Sequence, residues 1–104
     1  MRRNQTELEA KLFKGFADQS RLLILSTILD KPKTVSDIVD KTKLSQPNTS
    51  AHLACLLECG LIRKEKRGRE VFYEVSGKEV LGMLQQAQKV LKKHSKEIYE
   101  CTNY

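Results

Sequence analysis

Two helix start signals lie only eleven positions apart in the sequence, which leaves room for two short helices and a tight turn. Residues 34–37, TVSD, have the hydroxyl and the acidic residue of a capping box. Ser45 is a favourable N-cap for a second helix, and Pro47 is tolerated in the first turn of that helix. Gly60 is the residue type that commonly follows a helix end. The sequence therefore predicts a short helix, a tight turn and a second helix ending just before Gly60.

The periodicity changes after Gly60. Segments 61–66 and 70–75 flank the triplet 67–69, RGR, and the second segment contains the β-branched and aromatic run VFYEV. Such a run suits a β-strand, and a glycine between two strands suits a hairpin turn. The sequence therefore predicts a β-hairpin directly after the second short helix.

The segments on either side of this region have helical periodicity. Apolar residues recur at helical spacing between Thr6 and Phe16, and Asp18 is a suitable N-cap for a leucine-rich and isoleucine-rich second helix. That second helix is apolar on most sides, which predicts a central, buried position. A last helix begins at Gly77. The predicted fold class is mostly α with a β-hairpin, a winged helix-turn-helix, in one domain spanning residues 1–104.

The last helix contains a heptad-like seam, in which apolar or neutral residues recur at alternating steps of four and three. This pattern suits packing against a partner helix, and a helix facing the core of a monomer is the alternative. A dimer is favoured because a chain of 104 residues buries a limited fraction of its surface. The seam consists of Val80, Leu84, Ala87, Leu91, His94 and Ile98, and one further step of three reaches Cys101.

The charge balance favours a polyanionic partner. The net charge is +6 at pH 7, and the predicted hairpin is rich in lysine and arginine. In a helix-turn-helix the second helix enters the major groove, where Gln and Asn can contact adenine, while basic residues of a hairpin contact phosphates. The alternative is that these side chains cap a surface helix and form a solvated face. The candidate DNA-binding residues are Ser45, Gln46, Asn48, Ser50 and His52 on the helix, and Lys64, Lys66, Arg67 and Arg69 on the hairpin.

Several other classes of protein are not expected. No apolar run approaches the roughly 18–20 residues of a membrane span, and the N-terminus lacks the apolar region of a secretory signal. GxSxG, P-loop and HExxH motifs are absent from the sequence. Three cysteines cannot form a closed set of internal disulfides, which suggests the reducing cytoplasm. We therefore expect a cytoplasmic, non-enzymatic protein with no membrane partner and no small-molecule substrate.

Cys55 and Cys59 are four residues apart on the second short helix. Their Cβ atoms should be about 5–6 Å apart, too far for the roughly 4 Å of a disulfide. Two thiolates bridged by a metal ion stand further apart, and thiolates select soft cations. Cys101 is the obvious third ligand, from the same chain or from a partner. The alternatives are cysteines that act as ordinary small apolar residues, a thiol-redox switch, and a site for trivalent arsenic.

Three segments of the sequence resemble the ArsR/SmtB family of metal-responsive repressors: residues 17–25, 35–62 and 63–75. The resemblance implies a homodimer built on the first and last helices. It also implies that the metal-free form binds operator DNA and that metal binding releases it.

Residues 52–61, HLACLLECGL, are similar to the motif of the CmtR type of cadmium and lead sensor within that family. This similarity implies that Cys55, Cys59 and Cys101 are the metal ligands, with Cys101 donated across the dimer. It implies cadmium or lead as the effector, with zinc as a weaker alternative. The last helix has only His94 and Glu97 of the family's zinc-site pattern, so no zinc site is predicted there.

Overall fold

The computed structural model describes residues 2–102, with side chains from residue 4 onward. No helix in this range is both long and apolar enough to cross a membrane. In chain order the elements are α1 (Arg2–Phe16), α2 (Gln19–Thr27), α3 (Val35–Thr42), α4 (Gln46–Glu58), β1 (Ile62–Arg67), β2 (Glu70–Val75) and α5 (Gly77–Glu100). The fold class predicted from the sequence, mostly helical with a β-hairpin, is confirmed.

The capping signals define α3 and α4 as predicted. The Thr34 hydroxyl accepts a hydrogen bond from the Asp37 amide at 3.2 Å, and the Asp37 carboxylate accepts one from the Thr34 amide, which completes the capping box. The Ser45 hydroxyl accepts the Asn48 amide at 3.2 Å. Between the helices Lys43 adopts a left-handed conformation with φ 63°, which reverses the chain within three residues.

The core lies between α2, α3, α4 and the base of the hairpin. One side of α2 is fully buried, but Leu22 and Leu23 are 40% and 41% exposed. The predicted central position of α2 therefore holds for the side of this nine-residue helix that faces α3 and α4, while Leu22 and Leu23 stay exposed on the other side. The most buried side chains are Ile24, Leu25, Ile28, Ile38, Thr49, Leu53 and Leu56.

The hairpin formed by β1 and β2, called the wing below, has a two-residue turn. Arg67 pairs with Glu70, and Gly68 takes a positive φ of 65°, a conformation that glycine adopts without steric cost. At the base of the wing Lys33 adds a short third pairing, because its amide and carbonyl both bond the backbone of Tyr73, at 3.0 and 2.8 Å.

The buried side chain of Lys33 connects the wing to the end of α2. Its ammonium group donates to the Thr27 carbonyl and, at 2.6 Å, to the carboxylate of Asp30. The hydrogen bond from Lys33 holds the pKa of the Asp30 carboxyl below its usual value. The side chain of Lys33 thus donates to a carbonyl in the last turn of α2, while its backbone pairs with Tyr73 in β2 of the wing.

The last helix packs on the core only through its first half. Leu84 is buried, whereas Val90 and Leu91 are 53% and 51% exposed. The backbone leaves helical geometry at His94, with φ −124° and ψ 24°. The seam predicted as one continuous stripe is therefore interrupted, and Cys101 caps the helix end instead of extending the stripe. The break falls at His94 and Ser95, two residues of lower helix propensity than alanine or leucine, with Lys92, Lys93 and Lys96 beside them.

Candidate DNA-binding surface and thiol site

The first two turns of α4 present a row of polar side chains to solvent. Gln46, Asn48 and Ser50 are exposed, and their side chains make no hydrogen bond within the described chain. Thr49, between them, is completely buried and donates its hydroxyl to the Ser45 carbonyl at 2.8 Å. The buried threonine fixes the rotation of α4, so that its neighbours face outward with free hydrogen-bonding groups.

His52 lies one turn further along α4 in a different environment. Its side chain is only 20% exposed, and its Nε2 atom lies 3.9 Å from a carboxylate oxygen of Asp18. Asp18 is also the N-cap of α2, accepting the Arg21 amide at 2.9 Å. That hydrogen bond, with the charges of Arg21 and His52, lowers the pKa of Asp18. The sequence grouped His52 with the DNA-binding residues, but in the structure it links α4 to the start of α2.

The basic residues of the wing fall into two groups. Arg63 pairs with Glu74 across the strands, and Arg67 pairs with Glu65 and lies 5.0 Å from the centre of the Phe72 ring. The other basic side chains of the wing are exposed and form no ion pair within residues 4–102, which leaves their charges available to a polyanion. This second group consists of Lys64, Lys66 and Arg69.

The pair Cys55 and Cys59, called the thiol pair below, occupies the C-terminal half of α4. Cys55 is half-buried, Cys59 is the exposed C-cap of the helix, and both are free thiols. Cys101 is a free, exposed thiol after the last turn of α5. Within the described part of one chain, no group of three His, Cys, Asp or Glu side chains is placed to hold a metal ion. One chain therefore does not bring the three predicted ligands together.

Beside Cys59 the structure contains a cavity that the sequence did not predict. It has a volume of about 300 Å³ and lies where α1 passes the end of α4; we call it the thiol groove. Its sequence signal is part of the apolar pattern of α1, in which Leu8 and Leu12 are followed at helical spacing by Gly15. The thiol groove is lined by Leu8, Lys11, Leu12, Gly15, Glu58, Cys59 and Leu61.

A larger cavity of about 530 Å³ lies between α1, α2 and α5, and its walls are almost entirely apolar. It includes Phe13, which is 59% exposed, and Val90 and Leu91 are also exposed further along α5. Isolated exposed apolar residues are ordinary on a protein surface, but a set concentrated on adjacent helices marks an interaction surface. The lining residues are Phe13, Phe16, Ala17, Leu22, Met83, Leu84 and Ala87.

Comparison with known proteins relates this architecture to transcriptional regulators. The sequence profile of the bacterial regulatory protein family named arsR matches residues 18–64, the region from the N-cap of α2 into β1. The chain is 38% identical over 73 residues to an arsenical resistance operon repressor of Bacillus subtilis, a match that covers 69% of this chain and 70% of that protein.

Two further proteins are similar to the chain over most of its length. A probable mercury resistance operon repressor of Streptomyces lividans is 33% identical over 75 residues, covering 72% of this chain and 60% of that longer protein. The homodimeric winged helix-turn-helix DNA-binding domain of a possible ArsR-family regulator from Mycobacterium bovis superposes with a TM-score of 0.82 at 24% identity, covering 92% of this chain and 89% of that structure. The predicted winged helix-turn-helix architecture is thereby confirmed.

Proposed function

The chain belongs to the arsR family of bacterial regulatory proteins, and we propose that it is a homodimeric repressor released from operator DNA by a soft metal ion, cadmium or lead. As a member of this family it is a DNA-binding transcriptional regulator and not an enzyme. The proposed metal ligands are the thiol pair, Cys55 and Cys59, together with Cys101. The proposed DNA contacts are Ser45, Gln46, Asn48, Ser50 and His52 at the start of α4, and Lys64, Lys66, Arg67 and Arg69 on the wing.

One observation carries the proposal: the exposed polar row and the thiol pair lie on the same helix. The thirteen residues of α4 span about 20 Å, and the helix is held in the core by Thr49, Leu53 and Leu56. A force on its C-terminal half therefore shifts the helix as a body, including the side chains that would contact bases. The contact between His52 and Asp18 passes the same shift to the start of α2.

The chemistry of the donors fits a soft ion. Such an ion supplies strong bonds to thiolate sulfur, and thiolates bind cadmium or lead far better than magnesium or calcium. Cys59 and Cys101 are exposed, and Cys55 is half-buried, so an ion can reach the thiols from solvent. A site that one chain leaves incomplete is consistent with a ligand from the second subunit, as the family subtype implies.

The apolar surfaces support the dimer. The eight large apolar side chains that are most exposed among the described residues lie on α1, α2 and α5. Six of them are on α1 and α5, the first and last helices on which the family resemblance places the dimer interface. A closed twofold interface over these helices would bury them. It would also direct the two copies of α4 toward successive half-sites of one DNA duplex.

Replacing Lys66 and Arg69 together by alanine should weaken DNA binding and flatten its dependence on salt. Each neutralised phosphate contributes about 0.9 to the slope of log K against log salt, so losing two contacts should lower the slope by about 1.8. Titrations at several potassium chloride concentrations measure the slope. The matched control removes two positive charges from α5, with Lys92 and Lys93 changed to alanine. Equal slopes for the two variants would mean that the wing does not contact DNA.

The proposed function is tested by titrating the protein–DNA complex with cadmium, lead, zinc and arsenite under reducing conditions. The duplex is obtained by in vitro selection with the metal-free protein. We expect cadmium and lead to release the DNA and to produce an ultraviolet absorption band from thiolate-to-metal charge transfer. The Cys101→Ser variant should need a far higher concentration of either ion for the same release of DNA. A complex that survives all four ions while thiol titration shows the cysteines reduced would refute the proposal.

Trivalent arsenic is the second candidate effector, since arsenite also binds sets of thiolates. The similarity to an arsenical resistance operon repressor favours it. Release of DNA by arsenite at concentrations where cadmium and lead have no effect would assign the protein to this alternative.

A further inference from the structure

The thiol groove and the last turn of α5 have complementary surfaces that a single chain leaves exposed. In the groove Leu8 is 67% and Leu12 is 36% exposed, whereas Leu61 is buried at its floor. In the last turn of α5, Tyr99 is 90% exposed, the most exposed large apolar side chain of the described residues. The exposed groove adjoins Cys59 and the exposed Tyr99 lies two residues before Cys101, so each of these surfaces lies beside a predicted metal ligand.

Accepting the proposed function as its premise, we propose that the thiol groove of one subunit receives the last turn of the partner's α5, with Tyr99 of the partner subunit as the anchor. The docked turn would carry the third thiol to Cys59. In this arrangement the thiol groove binds the second copy of this chain. Tyr99 positions Cys101 for the metal site and does not itself bind the metal.

The reach of the tail supports this arrangement. Cys101 follows Tyr99 by two residues, and its backbone is extended, with φ −69° and ψ 127°. Two residues span at most about 7 Å even when fully extended. Because Cys59 itself lines the groove, a tyrosine ring seated there would leave Cys101 close to the thiol pair.

The composition of the groove also matches the tail. Its walls are leucines, and its rim carries one charge of each sign, on Lys11 and Glu58. A tyrosine has an apolar ring and a hydroxyl that seeks a polar partner, so it suits an apolar slot with a charged rim. The last turn of α5 carries two carboxylates, on Glu97 and Glu100, and Lys96 lies directly before it.

The break at His94 gives the tail the freedom that docking needs. A straight α5 would hold its last turn in line with the exposed Leu91. Non-helical geometry at one residue lets residues 95–100 change direction independently of the part of α5 packed on the core. Docking of this segment against the partner would then accompany binding of the third thiol.

Tyr99→Trp provides the test, because the chain contains no tryptophan and the new residue is the sole reporter. One subunit type carries Tyr99→Trp with Cys55→Ser and Cys59→Ser, and the other carries Cys101→Ser. After unfolding and refolding of the mixture, only the heterodimer combines a thiol pair with the Cys101 of its partner. We expect cadmium to move the tryptophan emission to shorter wavelength and to reduce acrylamide quenching in this mixture, but not in either homodimer.

A matched pair of variants locates the receptor. Leu12→Lys on the subunit that carries the thiol pair should abolish the cadmium-induced shift, and the same change on the tryptophan subunit should preserve it. Dimer stability is affected equally in the two mixtures, because each heterodimer contains one Leu12→Lys chain.

The outcomes separate this inference from the function on which it rests. A cadmium–thiolate absorption band without any tryptophan shift would overturn the docking and leave the metal site standing. The docking would also be overturned if the cadmium-induced tryptophan shift were retained in both Leu12→Lys mixtures, or if it were lost in both. Absence of the absorption band in the wild-type dimer would refute the proposed function, and the docking with it.

Discussion

Serine in place of both Cys55 and Cys59 is expected to make DNA binding insensitive to cadmium and lead. The thiol pair lies at the exposed end of α4, and serine keeps the size of each side chain while removing the soft donor. Coupling between two sites is typically about 1–3 kcal/mol, so saturating metal should weaken DNA binding of the wild-type dimer by roughly 5–150-fold. Fluorescence anisotropy with a labelled duplex, with and without metal, should show this factor falling to one in the variant.

The metal-free affinity provides the internal check on this result. Neither cysteine lies among the exposed residues of the first two turns of α4, so the double variant should bind metal-free DNA like the wild type. Ala54→Ser adds a hydroxyl to the exposed side of the same helix without removing a thiol, and it should keep the full metal response. A double serine variant that still releases DNA when metal is added would show that the effector binds elsewhere.

The part of the fold that could be predicted from the sequence is the part encoded by neighbouring residues. The capping residues at 34 and 45, the glycine after α4 and the hairpin turn are local signals, and each marks the boundary that the structure has. The outward-facing row on α4 followed because helical periodicity places Thr49 and Leu53 toward the core.

Other features depend on contacts between distant segments and carry no local pattern. The burial of Lys33 follows from the position of Tyr73 on the wing, forty residues later. The position of His52 depends on the N-cap of α2, and the thiol groove exists only because α1 passes the end of α4. Helical periodicity also assumes an unbroken helix, so it could not predict the change of backbone at His94.

Leu91→Glu on α5 is expected to separate the dimer while each chain stays folded. The Leu91 side chain is 51% exposed in the single chain, so a carboxylate there costs the monomer little. In a dimer packed on α5 the same carboxylate would be buried against apolar partners, at a cost of several kcal/mol. Light scattering should then give the monomer mass. Because two linked half-site contacts bind roughly 10²–10⁴-fold more tightly than one, affinity for DNA should fall by about two orders of magnitude or more.

The matched control introduces the same single negative charge on α5 but off the predicted seam. Gln85 is exposed and lies one residue after Leu84, so Gln85→Glu should keep the dimer mass and most of the affinity for DNA. Circular dichroism at the concentration of the scattering experiment distinguishes separation from unfolding. If the Leu91→Glu chain kept the dimer mass with wild-type affinity for DNA, the second half of α5 would have to lie outside the interface. The subunits would then meet through α1 and α2, where Phe13, Leu22 and Leu23 remain exposed.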